Sequence, residues 1–357
     1  MTSGQEGKDV EHVFSIEADL SELSEKMAPL TSISIVTLAL LGLSSAQNQI
    51  PITPNTPSHI PALGFGTWNL KISSANTSAA VSTAIQTGYR HIDCAAIYGN
   101  EKDVGKGIKD GLEEKGLKRE DVWVTSKLWN DHHEPDMVEE ALDQTLHDLG
   151  LEYLDLYLMH WPVASVPGKS IISYIDTWHA MEALLTTSKV RQIGVSNFSP
   201  HQLHHLISAS THKPSVHQFE THPYLQQTDW VKWHQDHGII VTAYSPLANL
   251  NPIYGSPGKS KDTPPSLLEN KEISEIAEKR GCTNAQVALK WGMGRGTSVI
   301  PKSSHTSRIE ENFEALGCEL EEEDYDTVSE VGKKYLKRFN NPSEGWGVPL
   351  YEGLDGT

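Results

Sequence analysis

The sequence predicts an α/β protein that folds as a single (β/α)8 (TIM) barrel, with an N-terminal β-hairpin and an extra C-terminal helix and tail. Apolar runs of strand length alternate with helical patterns along most of the 357 residues, which is the pattern of a parallel sheet closed on itself. Several of the runs are mostly apolar, as expected for strands that are covered on both faces. No linker interrupts the alternation, and barrels of this length commonly form one domain.

The predicted elements follow one another in the order that a barrel requires. The expected strands are 63–66, 90–94, 122–127, 154–160, 191–196, 215–220, 239–244 and 298–302. The expected helices are 77–87, 101–115, 136–149, 174–187, 199–209, 228–237, 271–291 and 307–316. A further helix at 321–334 and an irregular tail that contains Trp346 complete the chain.

The chain divides into three predicted parts. We assign 1–48 to an N-terminal extension, 49–340 to the barrel and 341–357 to a C-terminal tail near the substrate pocket. Residues 49–62, with prolines at 51, 54 and 57 among them, are expected to form the hairpin.

The N-terminal extension has two sections of different character. Residues 1–26 are polar and acidic and are expected to be disordered. Residues 28–46 carry no charge, and 33–43 are strongly apolar. Counted from Met27 this section resembles a secretory signal, although no positive charge precedes the apolar core. The alternatives are a membrane anchor, an extension packed on the barrel and a mis-assigned start.

Composition narrows the classes of partner. The net charge of −18, without a dense Lys/Arg tract, argues against a nucleic-acid surface. The three cysteines, Cys94, Cys282 and Cys318, are too few and too scattered for a disulfide framework or a metal site, so we expect unpaired thiols in a reducing compartment. We expect a small-molecule substrate, no nucleic-acid or membrane partner, no metal, and a monomer or weak dimer.

Polar residues that could take part in catalysis or binding lie at the ends of the predicted strands. Asp93 closes one strand and Tyr98 follows five residues later. Lys127, His160 and Gln218 end, or lie late in, three further strands. Because the C-terminal ends of barrel strands open onto one face, these side chains are expected to meet there.

Eight stretches carry a resemblance to a known family. They are LGFGTW (63–68), YRHIDCAAIYGNE (89–101), SKLW (126–129), LEYLDLYLMHWP (151–162), IGVSNF (193–198), HPYL (222–225), TAYSPL (242–247) and IPKSSHTSRIEENF (300–313). Through them the chain resembles the aldo-keto reductases, which include aldose, aldehyde and xylose reductases. The resemblance covers roughly residues 60–340 and implies a barrel whose closed end is covered by the hairpin.

The resemblance implies a catalytic tetrad of Asp93, Tyr98, Lys127 and His160. Tyr98 is the expected proton donor, and a neighbouring ammonium is expected to lower the pKa of its phenol from about 10. Lys127 supplies that ammonium and Asp93 holds the lysine. His160 is expected to donate a hydrogen bond to the substrate carbonyl.

The expected cofactor site uses side chains, because no glycine-rich dinucleotide fingerprint is present. Ser196, Asn197 and Gln218 suit a nicotinamide carboxamide, and Tyr244 can stack on the ring. A cationic cluster near the start of the last barrel helix, Lys302, Ser303 and Arg308, suits a ribose 2′-phosphate, so NADPH/NADP+ is predicted in preference to NADH. The resemblance adds these cofactor contacts: Thr67, Trp68, Ser245, Leu247, Glu311 and Asn312. It also implies a substrate pocket walled by Trp68, Trp129 and Trp161. His217 stands where many relatives have asparagine, and the sequence assigns it no role.

The predicted function is the NADPH-dependent reduction of an aldehyde or ketone to an alcohol. The alternatives are a polyol or sugar dehydrogenase that runs the reverse reaction, and a low-turnover, cofactor-binding regulatory subunit. The NADPH requirement and the expected free thiols favour the cytoplasm. If residues 27–46 act as a signal or anchor, the alternative is a secreted, ER or membrane-associated protein.

Overall fold

Eight parallel strands form the centre of the protein and close into a barrel. The computed structural model describes residues 49–51, 59–70, 74–164, 172–248 and 264–354. In sequence order the barrel strands are β3 (Phe65–Gly66), β4 (His91–Asp93), β5 (Trp123–Leu128), β6 (Leu154–Met159), β7 (Val190–Ser196), β8 (Val216–Glu220), β9 (Ile240–Tyr244) and β10 (Ser298–Val299). Each strand pairs with the next. A parallel bridge between Leu63 and Val299 joins the last strand to the first, with the Gly64 amide donating to the Val299 carbonyl at 2.8 Å.

Helices alternate with the strands and cover the outside of the sheet. They are α1 (Ser74–Thr87), α2 (Glu101–Lys115), α3 (Val138–Leu149), α4 (Tyr174–Leu184), α5 (Pro200–Ala209), α6 (Thr228–Asp236), α7 (Lys271–Arg280), α8 (Asn284–Gly294), α9 (Thr306–Glu314), α10 (Glu322–Lys334) and α11 (Ser343–Trp346). The barrel architecture predicted from the alternation is therefore confirmed.

One predicted helix is wrong. The sequence pattern indicated a continuous helix over 271–291, whereas the chain breaks between α7 and α8. Gly281 ends α7 in the left-handed region at φ 65°, which a residue without a Cβ adopts at little cost. Thr283 then begins α8 through a capping box with Gln286, which satisfies orphan amides at the new helix start.

The N-terminal hairpin lies against one end of the barrel. β1 (Gln49–Pro51) and β2 (His59–Pro61) pair antiparallel, with Ile50 opposite Ile60. Ile60 is fully buried in a cluster with Trp123, Leu156, Leu158, Val216 and Ile240. Trp123, Val216 and Ile240 are the first residues of their strands. The hairpin therefore seals the N-terminal end of the barrel and leaves the opposite end for a site.

The expectation of three unpaired cysteines is wrong. Cys282 and Cys318 form a disulfide with Cα atoms 5.9 Å apart. Cys282 lies in the break between α7 and α8, and Cys318 follows α9, so the bond ties together two segments that sequence spacing alone does not bring close. Cys94 is a buried free thiol.

The N-terminal extension of 1–48 lies outside the described residues, so its predicted disorder and signal-like character stay predictions. None of the helices within the described ranges combines the length and the apolar character needed to cross a membrane.

Candidate active site

The C-terminal ends of the strands surround one cavity of about 730 Å³. Asp93 is the last residue of β4, Ser196 of β7 and Tyr244 of β9, while His160 directly follows β6. Because the hairpin closes the other end of the barrel, this face is the open one, as in barrels generally.

A buried lysine organises the chemistry of the cavity. The side chain of Lys127 is fully buried, and its Nζ donates to Asp93 Oδ1 at 2.5 Å and to the Cys94 carbonyl at 2.7 Å. The third contact of Nζ is the Tyr98 hydroxyl, at 3.4 Å. A buried ammonium needs an opposite charge and hydrogen-bond acceptors, and Asp93 with the Cys94 carbonyl provides both.

The electrostatics of Tyr98 differ from the sequence-based expectation. We expected Lys127 to lower the pKa of the phenol. In the unliganded chain burial is the larger effect and raises the pKa of Tyr98 to about 12, although Lys127 acts in the opposite direction. The phenol therefore keeps its proton at neutral pH.

Lys127 and His160 differ in charge, because the first is cationic and the second is neutral. Burial is the largest single influence on the pKa of Lys127 and lowers it, but the charge of Asp93, the charge of Tyr98 and the hydrogen bond to Asp93 together outweigh burial. The net pKa is raised, so the ammonium persists. Burial, reinforced by the charge of Lys127, holds the pKa of His160 well below its usual value. His160 is thus a neutral imidazole that retains one N–H donor.

Amide side chains extend the cluster toward β7 and β8. Gln218 Nε2 donates to Asp93 Oδ2 at 2.7 Å, so one aspartate joins the lysine and the amide. Asn197 adopts φ 63° and donates through Nδ2 to the His160 carbonyl at 3.0 Å. Its Oδ1 accepts from the Tyr244 hydroxyl at 2.8 Å. These contacts place amide donors and acceptors next to the cluster of Asp93, Lys127 and His160.

The far end of the cavity is cationic. Lys302 lines it, and burial lowers the pKa of its ammonium. Arg308 lies in the first turns of α9 and is exposed. Asn312 is buried on the same helix, whereas Glu311 is half-buried and its carbonyl accepts from Gln286 of α8. Charged side chains at a helix N-terminus form a site suited to an anion.

Aromatic side chains wall the cavity near Tyr98 and His160. The Trp129 ring lies 5.1 Å from the His160 ring, edge-on. Trp161 and Trp346 pack edge-to-face at 5.0 Å. Trp346 is 37% exposed and Ile97 is 45% exposed, so this part of the wall presents apolar surface to a ligand.

Almost all residues predicted for the site line this one cavity. They are Thr67, Trp68, Asp93, Tyr98, Trp129, His160, Trp161, Asn197, Gln218, Tyr244, Ser245, Leu247, Lys302, Ser303, Arg308, Glu311 and Asn312. Lys127 and Ser196 do not line it. Lys127 is buried and reaches the site through its hydrogen bond to Asp93. Ser196 is buried, and its hydroxyl accepts a hydrogen bond from Asn197.

The C-terminal segment contributes contacts that sequence reasoning missed. Asn340 donates to the Tyr244 hydroxyl at 3.0 Å, and the Tyr351 hydroxyl donates to Asn197 Oδ1 at 3.3 Å. Glu220, fully buried at the end of β8, anchors this segment by accepting from the Phe339 and Asn340 amides at 2.8 and 2.9 Å. An acidic residue that ends an apolar strand was the available signal for Glu220. Asn340 and Tyr351 lie in irregular sequence that offers no signal.

Comparisons with known proteins agree with this geometry. The profile described as "Aldo/keto reductase family" matches residues 62–333. An uncharacterized oxidoreductase of Schizosaccharomyces pombe is 44% identical over 326 residues, which are 87% of this chain and 96% of that protein. The NAD(P)H-dependent D-xylose reductase of Scheffersomyces stipitis is 40% identical over 83% of this chain and 98% of its own length. Among solved structures, a Bombyx mori aldo-keto reductase in complex with NADP is 35% identical with a TM-score of 0.77, covering 85% of this chain and 99% of that one.

Proposed function

The chain belongs to the aldo/keto reductase family, and we propose that it reduces an aldehyde or ketone to an alcohol with NADPH, using Tyr98 as the general acid. The observation that carries the proposal is the Tyr98 hydroxyl at the cavity wall, 3.4 Å from the buried Lys127 ammonium. The similarity to a D-xylose reductase supports carbonyl reduction.

Each member of the cluster has a role that its environment supports. Tyr98 holds a proton at neutral pH and donates it to the carbonyl oxygen. Neutral His160 donates a hydrogen bond that orients the carbonyl. Lys127, kept cationic by Asp93, stabilises the phenolate that remains after proton transfer.

The residues present fit NADPH. The amides of Asn197 and Gln218 match the donor and acceptor of a carboxamide, and Lys302 with Arg308 match a 2′-phosphate. When bound, the cofactor supplies the hydride. The NADP complex of the Bombyx mori relative supports binding of NADP(H), and the two cations support a preference for NADPH over NADH.

Reduction and the reverse reaction of a polyol or sugar dehydrogenase would use the same residues, because one catalyst serves both directions. The ratio of reduced to oxidised cofactor would set which direction runs. A cofactor-binding regulatory subunit with low turnover would not need a proton donor next to a buried ammonium. The arrangement of Asp93, Lys127 and Tyr98 therefore supports an active reductase.

Two arguments about the cellular compartment of the chain disagree. The proposed need for NADPH supports the cytoplasm. The disulfide between Cys282 and Cys318 removes the argument from free thiols and supports an oxidising compartment. N-terminal sequencing of the expressed full-length protein separates the two, because a mature terminus near Gln47 in a secreted fraction contradicts the cytoplasmic proposal.

The central experiment is an NADPH-oxidation screen across aliphatic aldehydes, aromatic aldehydes, aldoses and ketones. We expect turnover of at least one class, and the Tyr98→Phe variant is expected to lose about 10²–10⁴-fold in kcat. Fluorescence titration should show that the variant still binds NADPH. Near-normal kcat in the variant refutes the role of Tyr98. Wild-type protein that binds NADPH but turns over no carbonyl supports the regulatory alternative.

A further inference from the structure

A pair of buried histidines lies directly behind the amide end of the cavity. His217 in β8 and His234 in α6 are both fully buried. Val216 packs in the cluster around Ile60 at the N-terminal end of the barrel, and Gln218 lines the cavity. Both side chains therefore point into the barrel. His217 lies between them on the strand and therefore points outward, toward α6. There its Nδ1 lies 2.8 Å from His234 Nε2.

The partners of the pair assign every proton. The Phe198 amide can only donate, and it does so to His217 Nε2 at 3.1 Å. His217 must then carry its proton on Nδ1 and donate it to His234 Nε2. The Trp230 carbonyl can only accept, so His234 carries a proton on Nδ1 and donates a hydrogen bond to this carbonyl at 2.6 Å. Four ring nitrogens thus have four suitable partners with both rings neutral. Burial lowers the pKa of both rings, to about 4 for His234, in agreement with the neutral state.

The chain of hydrogen bonds ends on the segment that carries Asn197. The Asn197 amide donates to the Gln218 carbonyl at 3.0 Å, and the next amide, of Phe198, donates to His217. Two consecutive residues of this segment are therefore held on β8, one by backbone and one by an imidazole. Asn197 needs this support, because a non-glycine residue at φ 63° is strained.

We propose that His217, oriented by His234, is a positioning residue for the nicotinamide end of the cofactor: it holds the Phe198 amide and so keeps Asn197 aimed into the cavity. This inference rests on the proposed function, since Asn197 is the proposed carboxamide ligand. It gives a role to a residue to which the sequence assigned none.

The test replaces the imidazole in two ways. In His217→Gln the amide oxygen can still accept from the Phe198 amide. In His217→Phe an aromatic ring still fills the space, but the hydrogen bonds to the Phe198 amide and to His234 are both lost. His237→Gln is the matched control, because His237 also bonds a main-chain carbonyl of α6, that of Trp233 at 2.7 Å, but its side chain is exposed.

The readout is the dissociation constant of NADPH and of NADH, measured by fluorescence titration. Losing the hydrogen bond and leaving the buried amide unpaired is expected to weaken both cofactors by roughly tenfold in His217→Phe. The loss is equal for both because they share the nicotinamide. His217→Gln and His237→Gln are expected to stay within about twofold of wild type, and the KM for the carbonyl at saturating cofactor is expected not to change.

Each outcome decides one claim. Wild-type protein that does not bind NADPH contradicts the proposed function. Wild-type protein that binds, together with a His217→Phe variant that binds as tightly, overturns the positioning role, as does a loss confined to NADPH. If His217→Phe does not fold, nitrogen NMR of histidine-labelled wild-type protein provides the second test. We expect His217 as the Nδ1-protonated tautomer, with a signal that shifts when NADP+ is added; an Nε2-protonated ring overturns the inference.

Discussion

Replacing Cys282 and Cys318 with serine is expected to lower the thermal stability of the barrel. The disulfide spans 36 residues of sequence and encloses α8, β10 and α9. These elements include the closing strand of the sheet and the cationic end of the cavity. The bond therefore constrains the part of the chain that must return to the first strand for the barrel to close.

The loop length sets the expected magnitude. In the chain-entropy description, a cross-link that closes a loop of this length stabilises the folded state by about 4 kcal/mol. With an unfolding entropy of about 2.1 cal/mol/K per residue, each kcal/mol shifts the Tm of a barrel of about 300 residues by about 1.6 °C, so the double variant is expected to unfold roughly 6 °C lower than the oxidised wild type.

Calorimetry of the oxidised wild type, the reduced wild type and the double variant measures this difference. The reductant should shift the wild type toward the variant and leave the variant unchanged, because the remaining thiol, Cys94, is unpaired. Thiol titration in denaturant gives an independent count. One reactive thiol is expected before reduction and three afterwards. Three reactive thiols without reductant, or equal Tm values for all samples, refute the reasoning.

Two further predictions concern the cofactor and the response to acid. Arg308→Ala should weaken NADPH by a free energy of about 1.5–3 kcal/mol and leave NADH nearly unchanged, because only NADPH offers the 2′-phosphate; equal losses in a fluorescence titration exclude the phosphate contact. Burial lowers the pKa of His133 and of His234 from 6.5 to about 4, so below pH 6.5 the unfolded chain takes up protons that the folded chain refuses, and stability falls as the pH drops toward 4. Glu101, whose pKa burial raises to about 7, acts in the opposite direction and offsets part of this loss. Chemical denaturation at pH 7 and pH 5 should show that His133→Gln loses about 2 kcal/mol less than wild type over this interval; an identical loss in both proteins contradicts the assignment.

Local patterns in the sequence were sufficient to predict the barrel. β5 and β6 are buried at every position, and most residues of β6 and the first two of β5 are apolar. The strand end at Tyr244 was predicted at the residue where the structure has it, and the predicted end at Cys94 lies one residue beyond the observed end at Asp93. Because parallel strands must open on one face, locating the strand ends was enough to bring the polar residues of the site together.

The helix break at Gly281 shows where local patterns are not enough. An amphipathic pattern runs through 271–291, and it contains both a glycine and a capping box, yet periodicity alone did not weigh them against continuity. The prediction of unpaired cysteines was wrong for a related reason. Cys282 and Cys318 become neighbours only after α8, β10 and α9 have packed.

The sequence by itself determined which chemical groups meet: an aspartate, a phenol, an ammonium and an imidazole at adjoining strand ends. The tertiary structure decided their protonation states and their supports. Whether Lys127 lowers the pKa of Tyr98 depends on the competition between its charge and the burial of the phenol, and burial is the larger effect. The same holds for the His217–His234 pair, since a hydrogen bond between a strand residue and a helix residue 17 positions apart depends on packing. Charge and hydrogen-bonding capacity belong to residues, whereas desolvation and contact distance belong to the folded chain.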